Sequence, residues 1–359
     1  MNFDDLLQLP QYSLPHAEKE RILLDELNRL DEHHRAHCPE YERLVSVLRP
    51  GFRRAQALSE LPYLAVGLFK SHRLSSIPRD KVFKTLTSSG TTGQQVSQIF
   101  LDVETAKRQS AALSRIMTHT LGPNRLPMIL IESRALIQDR SRFNARAAGV
   151  LGMMTFGRDH FYALDERMDL DEEGLFAFLE KFGSRPFFLF GFTFMVWQYL
   201  FQRIAERGLD LSQGVLVHGG GWKKMEEMAV SNSEFKSRFR EKTGLERIYN
   251  FYGLVEQVGS IYVEGEDAYL YAPNFADVIV RDPITWEPAP MGSPGILQVL
   301  SVLPLSYPGH SILTEDMGII HGVDDSPSGR LGKYFSVSGR IPKAELRGCS
   351  DVHATQVSG

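Results

Sequence analysis

A loop rich in glycine and hydroxyl side chains is the segment of this sequence best suited to chemistry. It reads Thr87-Ser-Ser-Gly-Thr-Thr-Gly93 and precedes a strand-like run over 96–101. Glycine lets the backbone approach a ligand closely and hydroxyl groups donate hydrogen bonds, so the loop is suited to cradling a polyanion such as a triphosphate. It is not a Walker A loop, because no Lys-Ser/Thr pair follows the second glycine. For the loop taken alone, a surface turn is the alternative.

Later segments carry residue types that bind nucleotides and metal ions. They are Gly219-Gly-Gly221, Tyr252-Gly-Leu-Val-Glu256, Thr314-Glu-Asp316 and Gly339-Arg340. Together with Ser88-Ser-Gly-Thr-Thr-Gly93, and in this order, they resemble the motifs of adenylate-forming enzymes. That large family converts a carboxylate and ATP to an acyl adenylate and pyrophosphate.

The resemblance implies a role for each motif. The residues assigned to the nucleotide are Ser88, Ser89, Gly90, Thr91, Thr92, Gly93, Gly219, Gly220, Gly221, Tyr252, Gly253, Glu256, Asp316 and Arg340. In the family, the glycine-rich loop cradles the phosphates and the aromatic ring packs on adenine. The acid of the same motif, here Glu256, holds Mg²⁺, and Asp316 and Arg340 would bind the ribose. The cofactors implied are therefore ATP and Mg²⁺.

The sequence departs from the family pattern in three motifs. Val255 replaces a hydroxyl residue, Gly221 replaces an acid, and Gln94-Gln95 replace the common Pro-Lys after the loop. The first of these removes an expected contact with the α-phosphate.

The C-terminal segment narrows the resemblance. The chain ends 19 residues after Arg340, where ordinary adenylate-forming ligases continue into a small mobile domain with a catalytic lysine, so that domain is expected to be absent. The segments Gln11-Tyr-Ser-Leu-Pro15, His37-Cys-Pro-Glu-Tyr41, Phe83-Lys-Thr-Leu-Thr-Ser-Ser-Gly90 and Arg347-Gly-Cys-Ser-Asp351 resemble the acyl-protein synthetase family. This family is named for LuxE, the fatty-acid-activating component of a bioluminescence fatty acid reductase.

The family resemblance implies a covalent step at Cys349. In the family the acyl group passes from the adenylate to a cysteine near the C-terminus and then to a partner reductase of the acyl-CoA-reductase kind. An acyl adenylate is an activated mixed anhydride, and a thiolate is a natural nucleophile for it. Lys343 is the candidate to hold the carboxylate or the α-phosphate in place of the missing lysine. A small buried hydrophobe is the alternative role for Cys349.

Two other functions remain open from the sequence. One is an acyl- or aryl-CoA ligase that uses free coenzyme A. The other is a non-catalytic nucleotide-binding protein that recruits a reductase or transferase, an alternative suggested by Val255 and Gly221.

The elements that must position these residues alternate between helical and strand patterns. Ile22, Leu23, Leu27 and Leu30 recur at helical spacing within 17–47, and Pro39 is expected to break that run. Short apolar runs separated by helical patterns at 102–121, 171–182, 193–207 and 223–242 predict an α/β fold with parallel or mixed sheets, and strands dominate beyond about residue 260. We expect a helical segment over 1–80, a nucleotide-binding core over 81–260 and a β-rich subdomain with an acyl-accepting tail over 261–359.

Composition limits the class of protein. The 359 residues include 40 Lys+Arg and 44 Asp+Glu, a net charge of −4 without a basic block, which argues against nucleic-acid binding. The most apolar stretch, 187–197, is shorter than the roughly 20 residues that a membrane helix requires. The sequence has only two cysteines, which excludes a disulfide scaffold and indicates a cytoplasmic protein. The sequence also leaves a homo-oligomer open.

Three side-chain groups leave alternatives open. Metal-binding side chains recur at a compatible spacing in His33, His34, His37 and Cys38. The alternative is that these residues form a solvated helix end. His218 and Phe190-Gly-Phe-Thr-Phe194 are each either pocket lining or core, and the polar segment 158–160 is expected to be a loop.

Overall fold

The computed structural model describes residues 3–88, 96–138, 145–222 and 229–341. Its helices are α1 (Phe3–Gln8), α2 (His16–His37), α3 (Pro39–Leu48), α4 (Leu68–Ser71), α5 (Val103–Leu121), α6 (Ala135–Gln138), α7 (Ala145–Met154), α8 (Glu172–Phe182), α9 (Thr193–Met195), α10 (Gln202–Ile204) and α11 (Asn232–Thr243). Its strands are β1 (Leu64–Ala65), β2 (Lys84–Thr87), β3 (Gln98–Leu101), β4 (Leu126–Ser133), β5 (Gly157–Leu164), β6 (Phe187–Phe192), β7 (Gly214–Gly219), β8 (Arg247–Tyr252), β9 (Tyr262–Glu264), β10 (Leu270–Tyr271), β11 (Ala276–Arg281), β12 (Gly295–Ser301), β13 (Ser311–Val323) and β14 (Lys333–Arg340).

The N-terminal helices form where the apolar spacing predicts them. Ile22, Leu23, Leu27 and Leu30 are all buried on one side of α2. Pro39 separates α2 from α3 and occupies the start of α3, where its missing N–H breaks no intrahelical bond. The predicted break at Pro39 is confirmed.

Twelve of the described strands form one mixed sheet. Its order is β11-β12-β13-β14-β10-β9-β8-β7-β6-β4-β5, with β1 paired to β13. Strands β4 to β8 pair in parallel, and the strands beyond β8 pair antiparallel with their neighbours, apart from the parallel pair of β1 with β13. The central runs, such as Phe187–Phe190, are buried, as expected for strands covered by helices on both faces. The predicted α/β class with a mixed sheet is confirmed.

Two predicted elements are wrong in their bounds or type. Of the helix expected over 223–242, residues 223–228 lie outside the described residues, and the described helix begins at Asn232, because Ser231 is extended and its hydroxyl accepts from the Glu234 N–H as an N-cap. The polar residues 158–160 belong to strand β5 rather than to a loop, since β5 pairs with β4 and tolerates polar side chains at the sheet edge. The helix expected over 193–207 exists, with a π-helical stretch at Val196–Phe201 between α9 and α10.

The topology brings two of the motifs to the carboxyl ends of neighbouring central strands. β7 and β8 are parallel neighbours, and Gly219 pairs with Phe251, so the glycine turn and Tyr252 emerge side by side. The carboxyl ends of parallel strands are where ligands bind in open α/β sheets. The antiparallel hairpin of β2 and β3 forms a separate two-stranded sheet.

Candidate functional site

An aspartate and an arginine on neighbouring strands form the centre of the candidate site. The antiparallel register of β13 and β14 sets Asp316 opposite Arg340. Arg340 Nε lies 3.8 Å from Asp316 Oδ1, and the Tyr252 hydroxyl donates to Asp316 Oδ2 at 2.7 Å. Burial, followed by the Asp316 carboxylate, raises the pKa of Tyr252 well above its ordinary value. The phenol therefore stays protonated and orients the carboxylate of Asp316.

The backbone around Asp316 is held by Thr314. The Thr314 hydroxyl donates to the Leu297 carbonyl at 2.8 Å and accepts from the Asp316 N–H at 3.1 Å. A register shift between Met317 and Gly318 interrupts the ladder just beyond this point. Such irregularities re-aim side chains at the rims of sheets, and here Asp316 remains partly accessible.

A second carboxylate lies nearby in a short 3₁₀ turn, Val255–Gln257. Glu256 is buried, which raises its pKa; the Ser97 hydroxyl and the charges of Lys70 and Arg340 oppose that rise. Arg340 therefore lies close enough to act on both Glu256 and Asp316. A buried carboxylate with cations around it is suited to an ion or a phosphate-rich ligand rather than to an apolar core.

The hairpin of β2 and β3 carries the glycine-rich loop at its tip. The Ser88 hydroxyl accepts from the Ser97 N–H at 3.0 Å, and the Ser88 N–H donates to the Ser97 carbonyl at 3.2 Å. β3 packs against the turn that contains Glu256. These bonds close the base of the loop beside the second carboxylate.

The glycine turn after β7 leaves space that side chains would fill. A Cβ at Gly219 would lie 2.6 Å from the Phe251 ring, and Gly220 has a φ of +80°, which favours glycine. At Gly221 a Cβ would meet no atom of the described residues within 4 Å. Packing and backbone geometry therefore require glycine at 219 and 220, whereas the described residues impose no such requirement at 221.

His218 is a core residue, and of the three phenylalanines in the run 190–194 only Phe190 is buried. His218 Nδ1 lies 3.0 Å from the Thr193 hydroxyl, its ring stacks on Phe235, and burial lowers its pKa to about 3. Phe190 is buried in the sheet. Phe192 is only partly buried, and its ring lies 3.5 Å from the Cβ position of Gly220, so the turn has an apolar neighbour.

The histidine and cysteine cluster near Pro39 is divided between core and solvent: His37 is exposed at the end of α2, as the solvated alternative predicts, and two other members are not. His34 and Cys38 are buried, and both ring nitrogens of His34 are engaged, with Ser76 and with the Pro304 carbonyl. Across the described residues no group of three or more His, Cys, Asp or Glu side chains is arranged to hold a metal ion. Burial raises the pKa of Cys38, which makes it a poor nucleophile.

The structure brings together Ser88, Glu256, Asp316, Arg340 and Tyr252, with the glycine turn at the carboxyl end of β7, next to the end of β8 that carries Tyr252. Ser89, Gly90, Thr91, Thr92, Gly93, Lys343 and Cys349 lie outside the described residues. Sequence reasoning missed Lys70 and Ser97, which act on Glu256. Ser97 is in the strand-like run that follows the loop, but Lys70 belongs to no motif and only the fold reveals it.

Comparison with known proteins identifies the family. A profile described as acyl-protein synthetase, LuxE, matches residues 2–358. The chain belongs to the acyl-protein synthetase family. It is 23% identical over 302 residues to a long-chain-fatty-acid–luciferin-component ligase of Aliivibrio fischeri, covering 82% of this chain and 78% of that protein. A ligase of the same name from Vibrio harveyi is 22% identical over 306 residues, covering 82% of this chain and 77% of that protein.

Solved structures support the fold of this acyl-protein synthetase. An open conformation of 2-hydroxyisobutyryl-CoA ligase in complex with 2-HIB-AMP and CoA has a TM-score of 0.70 and 18% identity, covering 94% of this chain and 78% of that one. The same ligase in the thioesterification state has a TM-score of 0.70 and 19% identity, with coverages of 92% and 70%. The large-domain fold of adenylate-forming enzymes predicted from the motifs is confirmed.

Membership of the acyl-protein synthetase family fixes the reaction class. The protein is an acid–thiol ligase that activates a carboxylic acid through an acyl adenylate formed from ATP. Within the described ranges, no helix is long and apolar enough to cross a membrane.

Replacing Tyr252 by phenylalanine tests how Asp316 is oriented. The change removes one hydrogen bond to a carboxylate, and we expect the KM for ATP in acid-dependent pyrophosphate exchange to rise about tenfold, equivalent to about 1.4 kcal/mol. Tyr249→Phe is the matched control, because Tyr249 lies on the same strand and its hydroxyl is directed towards Glu266. An unchanged KM for ATP in Tyr252→Phe would contradict the assigned role.

Proposed function

We propose that the protein activates a fatty acid as its acyl adenylate, transfers the acyl group to Cys349 as a thioester, and passes it to a partner reductase. The observation that carries the proposal is the assembly of Asp316, Arg340, Tyr252 and Glu256 around the carboxyl end of β8 in a chain of this family. The names of its relatives, long-chain-fatty-acid–luciferin-component ligases, support a fatty acid as the substrate. A cytoplasmic location suits an enzyme that uses ATP and a free thiol.

In the first half-reaction a carboxylate oxygen of the acid attacks the α-phosphorus of ATP. A new C–O–P linkage forms, the bond to the β-phosphate oxygen breaks, and pyrophosphate leaves. Asp316 accepts hydrogen bonds from the ribose hydroxyls while Tyr252 fixes its orientation. Arg340 donates to the ribose, and the loop from Ser88 to Gly93 donates to the phosphates. Catalysis at this step consists of positioning and charge stabilisation.

Glu256 fits the role of magnesium ligand. Mg²⁺ is commonly held by one or two carboxylates together with substrate phosphates, so a dedicated cluster of protein ligands is not required. Glu256 is a buried oxygen donor beside the base of the phosphate loop. Bound there, the ion would neutralise charge on the phosphates; Lys70 and Arg340 add positive charge at the same place.

In the second half-reaction the Cys349 thiolate attacks the acyl carbonyl. A C–S bond forms, the C–O bond to the phosphate of AMP breaks, AMP leaves, and the thiol proton goes to solvent. Of the two cysteines, Cys38 is buried with a raised pKa, which favours Cys349 as the acceptor. Lys343 is proposed to steady the carboxylate or α-phosphate. The thioester then exchanges onto the partner protein.

A panel of carboxylic acids tests the substrate class. We expect ATP–pyrophosphate exchange to depend on an added fatty acid and to be absent with magnesium chelated. Exchange supported by aromatic or short hydroxy acids but not by any fatty acid would contradict the proposed substrate. Free coenzyme A is added in a parallel arm, where formation of acyl-CoA without an acyl-protein would favour the coenzyme A ligase alternative.

A further inference from the structure

A cleft of about 420 Å³ opens between the C-terminal ends of α5 and α7. Its lining is mixed. Leu113, Leu121, Pro123 and Phe156 form an apolar wall beside Gly152, and the polar remainder consists of Ser110, Ser114, Thr118, Asn124, Arg125 and Thr155. The volume lies in the range of about 300–1,000 Å³ that small-molecule sites occupy. The cleft borders Arg125, just before β4 begins, so it lies at the amino ends of the parallel strands, whereas the glycine turn lies at their carboxyl ends.

One hydrophobic cluster connects this cleft to the candidate site. Its buried members are Met117, Met128, Leu130, Val150, Met153, Phe188, Phe190 and Val217. Leu113, Leu121 and Phe156 pack against it from the cleft, and Phe192 and Phe251 pack against it from the side of the glycine turn. Methionine side chains are unbranched and flexible, so a cluster rich in them can repack around an apolar guest.

Two glycines one turn apart on α7 follow the same route. A Cβ at Gly149 would lie 3.7 Å from the Phe192 ring, which itself lies 3.5 Å from the Cβ position of Gly220. A Cβ at Gly152 would lie 3.4 Å from Leu113 at the cleft. Residues three apart share a helix face, and the 10 residues of α7 rise about 15 Å. The glycine face of α7 thus runs between the nucleotide turn and the cleft.

We propose that the acyl chain of the substrate extends from the activation site along the glycine face of α7, through the methionine-rich cluster, and ends in the α5–α7 cleft. The inference rests on the proposed function and adds the place in the fold that limits the length of the acyl chain. The buried side chains of the connecting cluster are each at most 3% exposed, so a hydrocarbon chain enters by displacing them, and three of the eight are methionines, which repack readily. Each methylene that reaches the route is expected to raise affinity about fourfold, from about 0.8 kcal/mol of burial.

The experiment is the chain-length profile of Gly152→Leu in ATP–pyrophosphate exchange. The added side chain would fill the end of the route, so kcat/KM for tetradecanoate should fall at least tenfold while kcat/KM for octanoate stays within twofold. Leu151→Phe is the matched control, because Leu151 lies on the exposed side of the same helix and adds bulk without entering the route. Equal loss for both acids, or no change for either, would overturn the proposal.

A photoreactive substrate tests the same route in the unmodified protein. Tetradecanoate with a diazirine at its methyl end should label peptides that contain 113–121 or 150–156. Labelling confined to other segments would overturn the inference even if Gly152→Leu did not fold. If no fatty acid supports exchange in the wild-type protein, the proposed function fails. If exchange depends on chain length but Gly152→Leu leaves the profile unchanged, only this inference fails.

Discussion

Replacing Asp316 by alanine is expected to lower acid-dependent ATP–pyrophosphate exchange by about 100-fold. The carboxylate is held by the Tyr252 hydroxyl and lies beside Arg340, so its removal takes away the acceptor for the ribose hydroxyls and leaves both neighbours without their anion. Hydrogen bonds to charged groups contribute about 1.5–3 kcal/mol each, and about 2.8 kcal/mol corresponds to 100-fold. The effect should appear mainly as a higher KM for ATP, measured at saturating acid.

Glu315→Ala is the control for Asp316→Ala. Glu315 is the preceding residue on β13 and is exposed, and successive side chains of a strand point to opposite faces. Its removal should leave exchange within twofold of wild type, since the substitution keeps the backbone carbonyl that accepts from the Ile341 N–H at the strand end. Exchange that survives in Asp316→Ala as well as in Glu315→Ala would mean that the ribose is bound elsewhere.

Replacing Glu256 by glutamine is expected to lower the maximal rate of exchange by about 100-fold and to raise the magnesium concentration needed for half-maximal activity. The amide keeps the size of the side chain but loses the charge that a magnesium ligand supplies. Burial raises the pKa of Glu256 above its ordinary value of 4.5. A proton therefore competes with the ion at higher pH than for an exposed glutamate, and wild-type activity should fall as pH falls through that raised pKa.

Glu173→Gln provides the comparison for Glu256→Gln. Glu173 is an exposed residue in the first turn of α8, a helix that packs against the edge strand β5, which lies three strands from β7 in the sheet order. It should retain both the wild-type rate and the wild-type magnesium dependence. If Glu256→Gln shows normal magnesium dependence, or an unchanged acidic limb in its pH profile, then Glu256 is not a magnesium ligand.

Much of the fold could be predicted because each helix and buried strand carries its own pattern. Apolar runs such as 187–190 and 215–217 became central parallel strands, and Pro39 ended one helix and began the next. The start of α11 was missed because the cap at Ser231 is a local hydrogen bond rather than a change in hydrophobic spacing. Strand β5 was missed because polar residues at 158–160 mask the strand pattern at a sheet edge.

The site was predicted by motif order, but its connections depend on pairing between distant strands. No local pattern indicates that Asp316 faces Arg340 across β13 and β14, or that the Tyr252 phenol reaches the same carboxylate. Lys70 lies on α4, which packs against β3, and its charge acts on Glu256. A lone lysine in a short helix has no pattern that would reveal this role in the sequence. Long-range register, rather than residue type, is what the sequence could not supply.

The most direct test of the account is intact-protein mass spectrometry after incubation with ATP, magnesium and a fatty acid. We predict a mass increase of one acyl group that hydroxylamine removes, with the acyl group on the peptide containing Cys349. Cys349→Ala should lose the adduct while retaining fatty-acid-dependent pyrophosphate exchange, and Cys38→Ala should keep both. An acyl adduct that persists in Cys349→Ala would contradict the account.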